Sequence, residues 1–94
     1  MQTYMLTVTY QAKPGCAKEF VDALESSGVA EAVRKEEGCI RYDYYFSAKD
    51  GNAVFLFEEW ESREHQQIHL TQPHIATLKQ IKEQYILETV LRVL

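Results

Sequence analysis

The chain has 94 residues, 46% of them hydrophobic, with six Tyr, four Phe and a formal charge of −4. That length makes one domain, residues 1–94, and so small a domain buries only about 60–65% of the surface its unfolded chain exposes, so the large apolar groups imply a partner surface. The acidic balance, without a run of Lys or Arg, excludes nucleic acid and anionic lipid as partners, and no apolar stretch is long enough for a membrane span.

Residues 3–10 alternate, with Tyr4, Leu6, Val8 and Tyr10 on one side and Thr3, Met5, Thr7 and Thr9 on the other, which predicts a strand. Met1-Gln2-Thr3-Tyr4 has neither the basic region nor the apolar run of a signal peptide, so the expected location is cytoplasmic. Pro14-Gly15 ends the strand and opens a helix with the stripe Ala17, Phe20, Val21 and Leu24. Val29 and Val33 fall off that stripe, so Ser26-Ser27-Gly28 is expected to break the helix, and Glu36-Glu37-Gly38 to end its second piece.

Period two returns from Cys39 to Phe46, with Ile40, Tyr42, Tyr44 and Phe46 opposing Arg41, Asp43 and Tyr45. Asp50-Gly51 marks a hairpin into a third strand, Ala53 to Trp60. Ser62 caps a short helix through Thr71, and Pro73 starts another with the stripe Ile75, Leu78, Ile81 and Tyr85. Ile86 to Leu94 reads as a fourth strand. The order β-α-β-β-α-β is ferredoxin-like, an α+β fold with one four-stranded antiparallel sheet and its helices on one face.

The uncovered face then carries Met5, Tyr45 and either Val54, Leu56 and Trp60 or Ala53, Phe55 and Phe57, too apolar a set for water. Two copies pressing these faces together make a dimeric αβ-barrel, with Thr7, Arg41 and Asp43 lining its interior as a ligand cavity. Cys16 and Cys39 lack metal or disulfide spacing and read as small core residues.

All three histidines lie between His65 and His74, just beyond the only Trp, and His is the side chain that titrates nearest neutrality. His65 and His69 share a helix face, but HExxH is missing because Gln66 follows His65, and no metal is expected. His65 is a ligand contact or a solvated His, whereas His69 beside Ile68 is expected to be partly buried. His74 sits in the first turn of its helix, where the dipole disfavours imidazolium, and either exchanges protons or packs with Leu78. Trp60 stacks on a flat ligand or fills the core. Arg41, Asp43 and Tyr45 orient a substrate oxygen or form an interface ion pair. No glycine-rich phosphate loop and no GxSxG elbow is present, so no nucleotide cofactor is expected.

Taken in order, Lys13-Pro14-Gly15, Glu36-Glu37-Gly38-Cys39, Glu59-Trp60-Glu61-Ser62 and His65-x-x-x-His69-Leu70-x-x-Pro73-His74 resemble the antibiotic biosynthesis monooxygenase family over nearly the whole chain. The resemblance implies a dimeric αβ-barrel. The small bacterial quinol monooxygenases are the most similar in pattern, which implies a homodimer that oxygenates a small hydroxylated aromatic with O₂ and without flavin, metal or haem. Such a substrate, once deprotonated, reduces O₂ itself, and the protein supplies a base, a dry pocket and stabilisation of the anion. On this reading the base is His69 or His74, Trp60 stacks, and Thr7, Arg41, Asp43, Tyr45, Leu56 and His65 hold the substrate. A sister group, isomerases of a phosphorylated autoinducer-like sugar ketone, shares the later two His and a pattern like Arg41-Tyr42-Asp43. Haem-degrading members carry an Asn in the first strand, near Thr7 of this chain. A non-catalytic dimer, binding a ligand or serving as a stress accessory, is the third reading.

Overall fold

Four period-two segments become β1 (Tyr4–Ala12), β2 (Cys39–Phe46), β3 (Ala53–Trp60) and β4 (Ile86–Val93), paired antiparallel in the order β2-β3-β1-β4. A computed structural model describes residues 2–94. Between the strands run α1 (Ala17–Ser26), α2 (Val29–Arg34), α3 (Arg63–His69) and α4 (His74–Tyr85). This is the ferredoxin-like arrangement expected from the sequence. The two N-terminal helices separate where Gly28 turns left-handed at φ 84°, as the displaced valines require.

Register decides which side chains meet. Leu6 lies opposite Glu58, Val8 opposite Leu56 and Tyr10 opposite Val54, while β2 brings Tyr42 to Glu58 and Tyr44 to Leu56. These side chains and Trp60 share the helix-covered face, where Leu6, Tyr42, Val54, Leu56 and Trp60 pack fully buried with Phe20, Leu24 and Val33 from the helices. The other face presents Met5, Tyr45, Phe55 and Val90 to solvent, so of the two expected sets the one with Phe55 and Phe57 is outermost. Ile40 departs from its expected place beside Tyr42, because a bulge between Cys39 and Arg41 shifts the register and leaves it 47% exposed. Cys16 and Cys39 are free thiols at the edge of the core. Among the described residues no helix is long and apolar enough to cross a membrane.

The loop from α2 to β2 is fastened to the start of α3. Glu61 donates its N–H to the Gly38 carbonyl at 2.8 Å, and Ser62 accepts from the His65 N–H at 3.2 Å as the cap of α3. Gly38 lies at φ 83°, and a Cβ there would stand 2.8 Å from His65 Cβ and nearer still to its ring. Gly38→Ala is therefore expected to cost about 2–4 kcal/mol, combining a left-handed backbone with overpacking. Gly28→Ala, with open space around the added methyl, is expected to cost only the backbone part, about 1–2 kcal/mol. Urea unfolding of the two variants measures the difference.

Candidate functional site

The loop that ends α2 places Glu36 between the last residue of α3 and the first of α4. One carboxylate oxygen, Oε2, lies 2.8 Å from His69 Nδ1 and 2.7 Å from His74 Nε2. A carboxylate only accepts, so both ring nitrogens donate, and the tautomer of each neutral ring follows. His69 then keeps Nε2 as its free lone pair, and His74 keeps Nδ1. The cluster is sheltered, with side-chain exposures of 10% for Glu36, 4% for His69 and 20% for His74.

The His69 ring is also held from the sheet side. Trp60 lies 4.8 Å from it between ring centroids, tilted by 34°, and Tyr42 meets it edge-on at 6.0 Å. The Trp60 indole N–H donates to Glu58 Oε1 at 3.1 Å, so one tryptophan braces an imidazole and a carboxyl together. Glu58 is buried, and burial pushes its acid up to about 7 against the Trp60 hydrogen bond, with the Glu36 charge adding to the rise. Tyr42 and Tyr10, buried close by, are held well above the usual phenol range, first by burial and then by neighbouring acidic groups, so both stay protonated donors.

These groups frame a cavity of about 160 Å³ between sheet and helices. Its floor is Val8, Tyr10, Tyr42, Glu58, Gln66 and His69, its walls are Ile75 and Leu78, and Leu70, Lys79, Lys82, Thr89 and Leu91 form a more open rim. The lining is mainly apolar and includes one imidazole, His69, and one carboxyl, Glu58, that exchanges its proton near neutrality. A lining of this composition can hold a small apolar molecule with acid–base groups against it.

The single chamber expected from sequence divides in two. His69 lines the cavity. Trp60 and Leu56 are fully buried behind the floor, so Trp60 braces His69 and Glu58 rather than offering a stacking surface. His74 is joined to His69 only through Glu36, whose Oε2 both rings share. His65 turns to Ser62, whose hydroxyl lies 2.7 Å from Nδ1, and borders a separate surface depression with Glu36, Glu37, Ile68 and Gln72. Burial of His69 was expected, but its neighbour Ile68 is 57% exposed, because α3 presents His69 and Gln66 inward instead.

Thr7, Arg41, Asp43 and Tyr45 lie on the uncovered face, the strands' alternation carrying them away from the imidazoles. Arg41 does join the other two of its triplet, donating to Asp43 at 3.3 Å and to the Tyr45 hydroxyl at 2.8 Å while lying 4.5 Å over the Phe57 ring. Sequence reading missed Glu36, Glu58, Tyr42 and Gln66. Glu58 left a signal as an acid in phase with Val54, Leu56 and Trp60, while Glu36 and Tyr42 appeared only within the motifs Glu36-Glu37-Gly38-Cys39 and Arg41-Tyr42-Asp43 without a role.

The chain is thus a small ferredoxin-like α+β domain with a sheltered His–carboxylate cluster against its helix-covered face. Residues 3–80 match the family model for antibiotic biosynthesis monooxygenases, and the chain belongs to that family. Solved structures agree in fold. A conserved protein of Methanosarcina mazei superposes with a TM-score of 0.88 at 24% identity, covering 100% of this chain and 92% of its own. PA3566 of Pseudomonas aeruginosa gives 0.86 at 21%, covering 100% and 93%, and Rv0793 of Mycobacterium tuberculosis gives 0.84 at 23%, covering 99% and 93%. No curated protein matches the chain significantly.

Glu58 makes stability depend on pH. Its acid rises from 4.5 unfolded to about 7 folded, so the folded protein holds a proton that the unfolded chain has released between those values. The associated stabilisation is present in full below about 4.5 and is lost as pH rises through about 7. Glu58→Gln keeps an acceptor for the Trp60 N–H and carries no charge. At pH 8 it is expected to be more stable than the parent by on the order of 3 kcal/mol, with the two converging below pH 5, in chemical denaturation across that range.

Proposed function

We propose that this chain is a cofactor-independent monooxygenase, working as a cytoplasmic homodimer, that oxidises a quinol or polycyclic hydroxy-aromatic with O₂. The observation that carries the reading is an apolar cavity lined by both His69, its tautomer set by Glu36, and the buried Glu58, whose acid is pushed up to about 7. His69 Nε2 takes the substrate proton, and the electron-rich anion passes one electron to O₂. The radical pair joins as a carbon-bound peroxide. Loss of the remaining C–H proton, with cleavage of O–O, leaves one oxygen as a carbonyl and releases the other as water. The Glu58 carboxyl, with Tyr42 and Tyr10, supplies hydrogen-bond donors to the developing oxyanion. For an anthrone the balance is one O₂ consumed, one quinone and one water formed. A cavity of about 160 Å³ encloses roughly one aromatic ring, so larger ring systems extend over the rim toward Leu91.

The uncovered face supports the homodimer. Met5, Tyr45, Phe55 and Val90 lie exposed on neighbouring strands, with the Arg41 triplet beside them. Phenyl and phenol surface in that density is the composition of an interface core.

A second reading has its own observation. Lys79 and Lys82 stand on the cavity rim, and among the described residues neither is within ion-pair distance of a carboxylate. Lys82 lies 5.5 Å over the Tyr10 ring, its ammonium pushed below the usual range by burial and then by Lys79. Two uncompensated cations suit a phosphorylated substrate, as in an isomerase of a phosphorylated sugar ketone. Anaerobic turnover of such a ketone, followed by NMR, would support that alternative.

Purified metal-free protein is expected to consume O₂ with a dihydroxynaphthalene or anthrone, and His69→Ala to lower kcat/KM about 100-fold or more. An oxygen electrode reads both, and a rate no faster than uncatalysed autoxidation rejects the oxygenase. Phe55→Asp, which puts a charge in the middle of the uncovered face, is expected to shift size-exclusion elution from dimer to monomer.

A further inference from the structure

Glu36, His69 and His74 come from three separate elements, yet their donor atoms all lie within 4.8 Å of one another. Two imidazole nitrogens and one carboxylate oxygen are gathered together, the carboxylate 33 and 38 positions from its partners along the chain. The geometry points to a three-donor site for a divalent transition-metal ion of the zinc class, formed by Glu36 Oε2, His69 Nδ1 and His74 Nε2.

Donor chemistry selects the metal. Two nitrogens and one oxygen suit zinc, cobalt or nickel, whereas calcium and magnesium prefer oxygen alone. Tetrahedral zinc with bonds of about 2.1 Å sets its donors about 3.4 Å apart. The present spacings of 2.8 and 2.7 Å therefore need the carboxylate to withdraw from each ring by about 0.6–0.7 Å, and the donors, all within 4.8 Å of one another, to settle near that common separation by side-chain adjustment. His69 is already held in place by Trp60 and Tyr42. Access exists as well, because Glu36 borders the surface depression of about 450 Å³ shared with Glu37, His65 and Gln72, through which an ion enters and from which water completes the coordination. The net charge of −4 favours a cation.

Occupation has a chemical consequence. A metal on Nδ1 moves the ring proton of neutral His69 to Nε2, so the imidazole meets the cavity as a donor and no longer as a base. The ion is thus an inhibitor of the proposed oxygenase rather than its cofactor. This last step rests on the oxygenase reading, whereas metal binding does not.

Calorimetric titration of metal-free protein with Zn²⁺ at neutral pH is expected to show one ion per chain. Glu36→Gln and His74→Ala should each weaken it about tenfold or more, while His65→Ala leaves it unchanged. Circular dichroism melts identify any variant that fails to fold, and Co²⁺ titration of the parent gives an independent readout, a visible d–d band without an intense thiolate band. No saturable binding, binding unaltered in both ligand variants, or binding lost in His65→Ala would each overturn the site. If calorimetry reports the ion but Zn²⁺ leaves O₂ consumption unaltered, the site stands and the role of His69 as base falls. If the parent shows no O₂ consumption, the metal result still stands on its own.

Discussion

The arrangement depends on one oxygen atom, Oε2 of Glu36, which accepts from His69 at 2.8 Å and from His74 at 2.7 Å. A carboxylate this sheltered carries a large desolvation cost unless it is hydrogen-bonded, and two imidazole N–H groups supply the compensation. The same bonds tie the α2–β2 loop to both C-terminal helices. Two residues on, Gly38 accepts from Glu61 and leaves room for no side chain against His65. The segment from Glu36 to Gly38 thus touches all three histidines, and the sequence patterns around it and around α3 are two halves of one contact.

That contact also sets the chemistry of the pocket. With Nδ1 committed to Glu36, the His69 ring can only present Nε2 elsewhere, and the Trp60 face limits how far it turns. Trp60 commits its own N–H to Glu58, a residue that in water would be charged at neutral pH. Burial among tyrosines pushes that acid up to about 7, close to where a group exchanges protons most readily. An imidazole with a fixed tautomer and an acid shifted close to neutrality by its surroundings are thus braced by one indole. The cost is a buried carboxyl whose ionised form is desolvated, which lowers the stability of a small domain as pH rises through about 7.

Strand alternation, the Asp50-Gly51 hairpin and the displaced stripe of Val29 and Val33 made the fold legible in the sequence, because each is a local property of neighbouring residues. What alternation could not decide was which of two apolar sets on β3 the helices cover. Trp60 and Leu56 turned out to be covered, and with them went the idea that indole and imidazoles face the same space as Thr7, Arg41, Asp43 and Tyr45. Glu58 was readable in part, being an acid in phase with three apolar residues. Glu36 was not, since its partners lie 33 and 38 positions away and nothing local marks a loop glutamate as buried.

The division by the sheet changes what dimerisation has to accomplish. A β-sheet is one chain layer thick, so Val8 and Tyr42 on the cavity floor alternate along their strands with Thr7, Arg41 and Asp43 on the uncovered face. A second copy covering Phe55 and Tyr45 would stiffen that floor through the backbone without contributing a side chain to it. In the proposed homodimer each chain would then keep its cavity on the side away from the seam, and the apolar outer face would serve association. On the proposed reading catalysis and association would be independently mutable, because the pleat of the sheet holds the residues assigned to one on the side opposite to those assigned to the other.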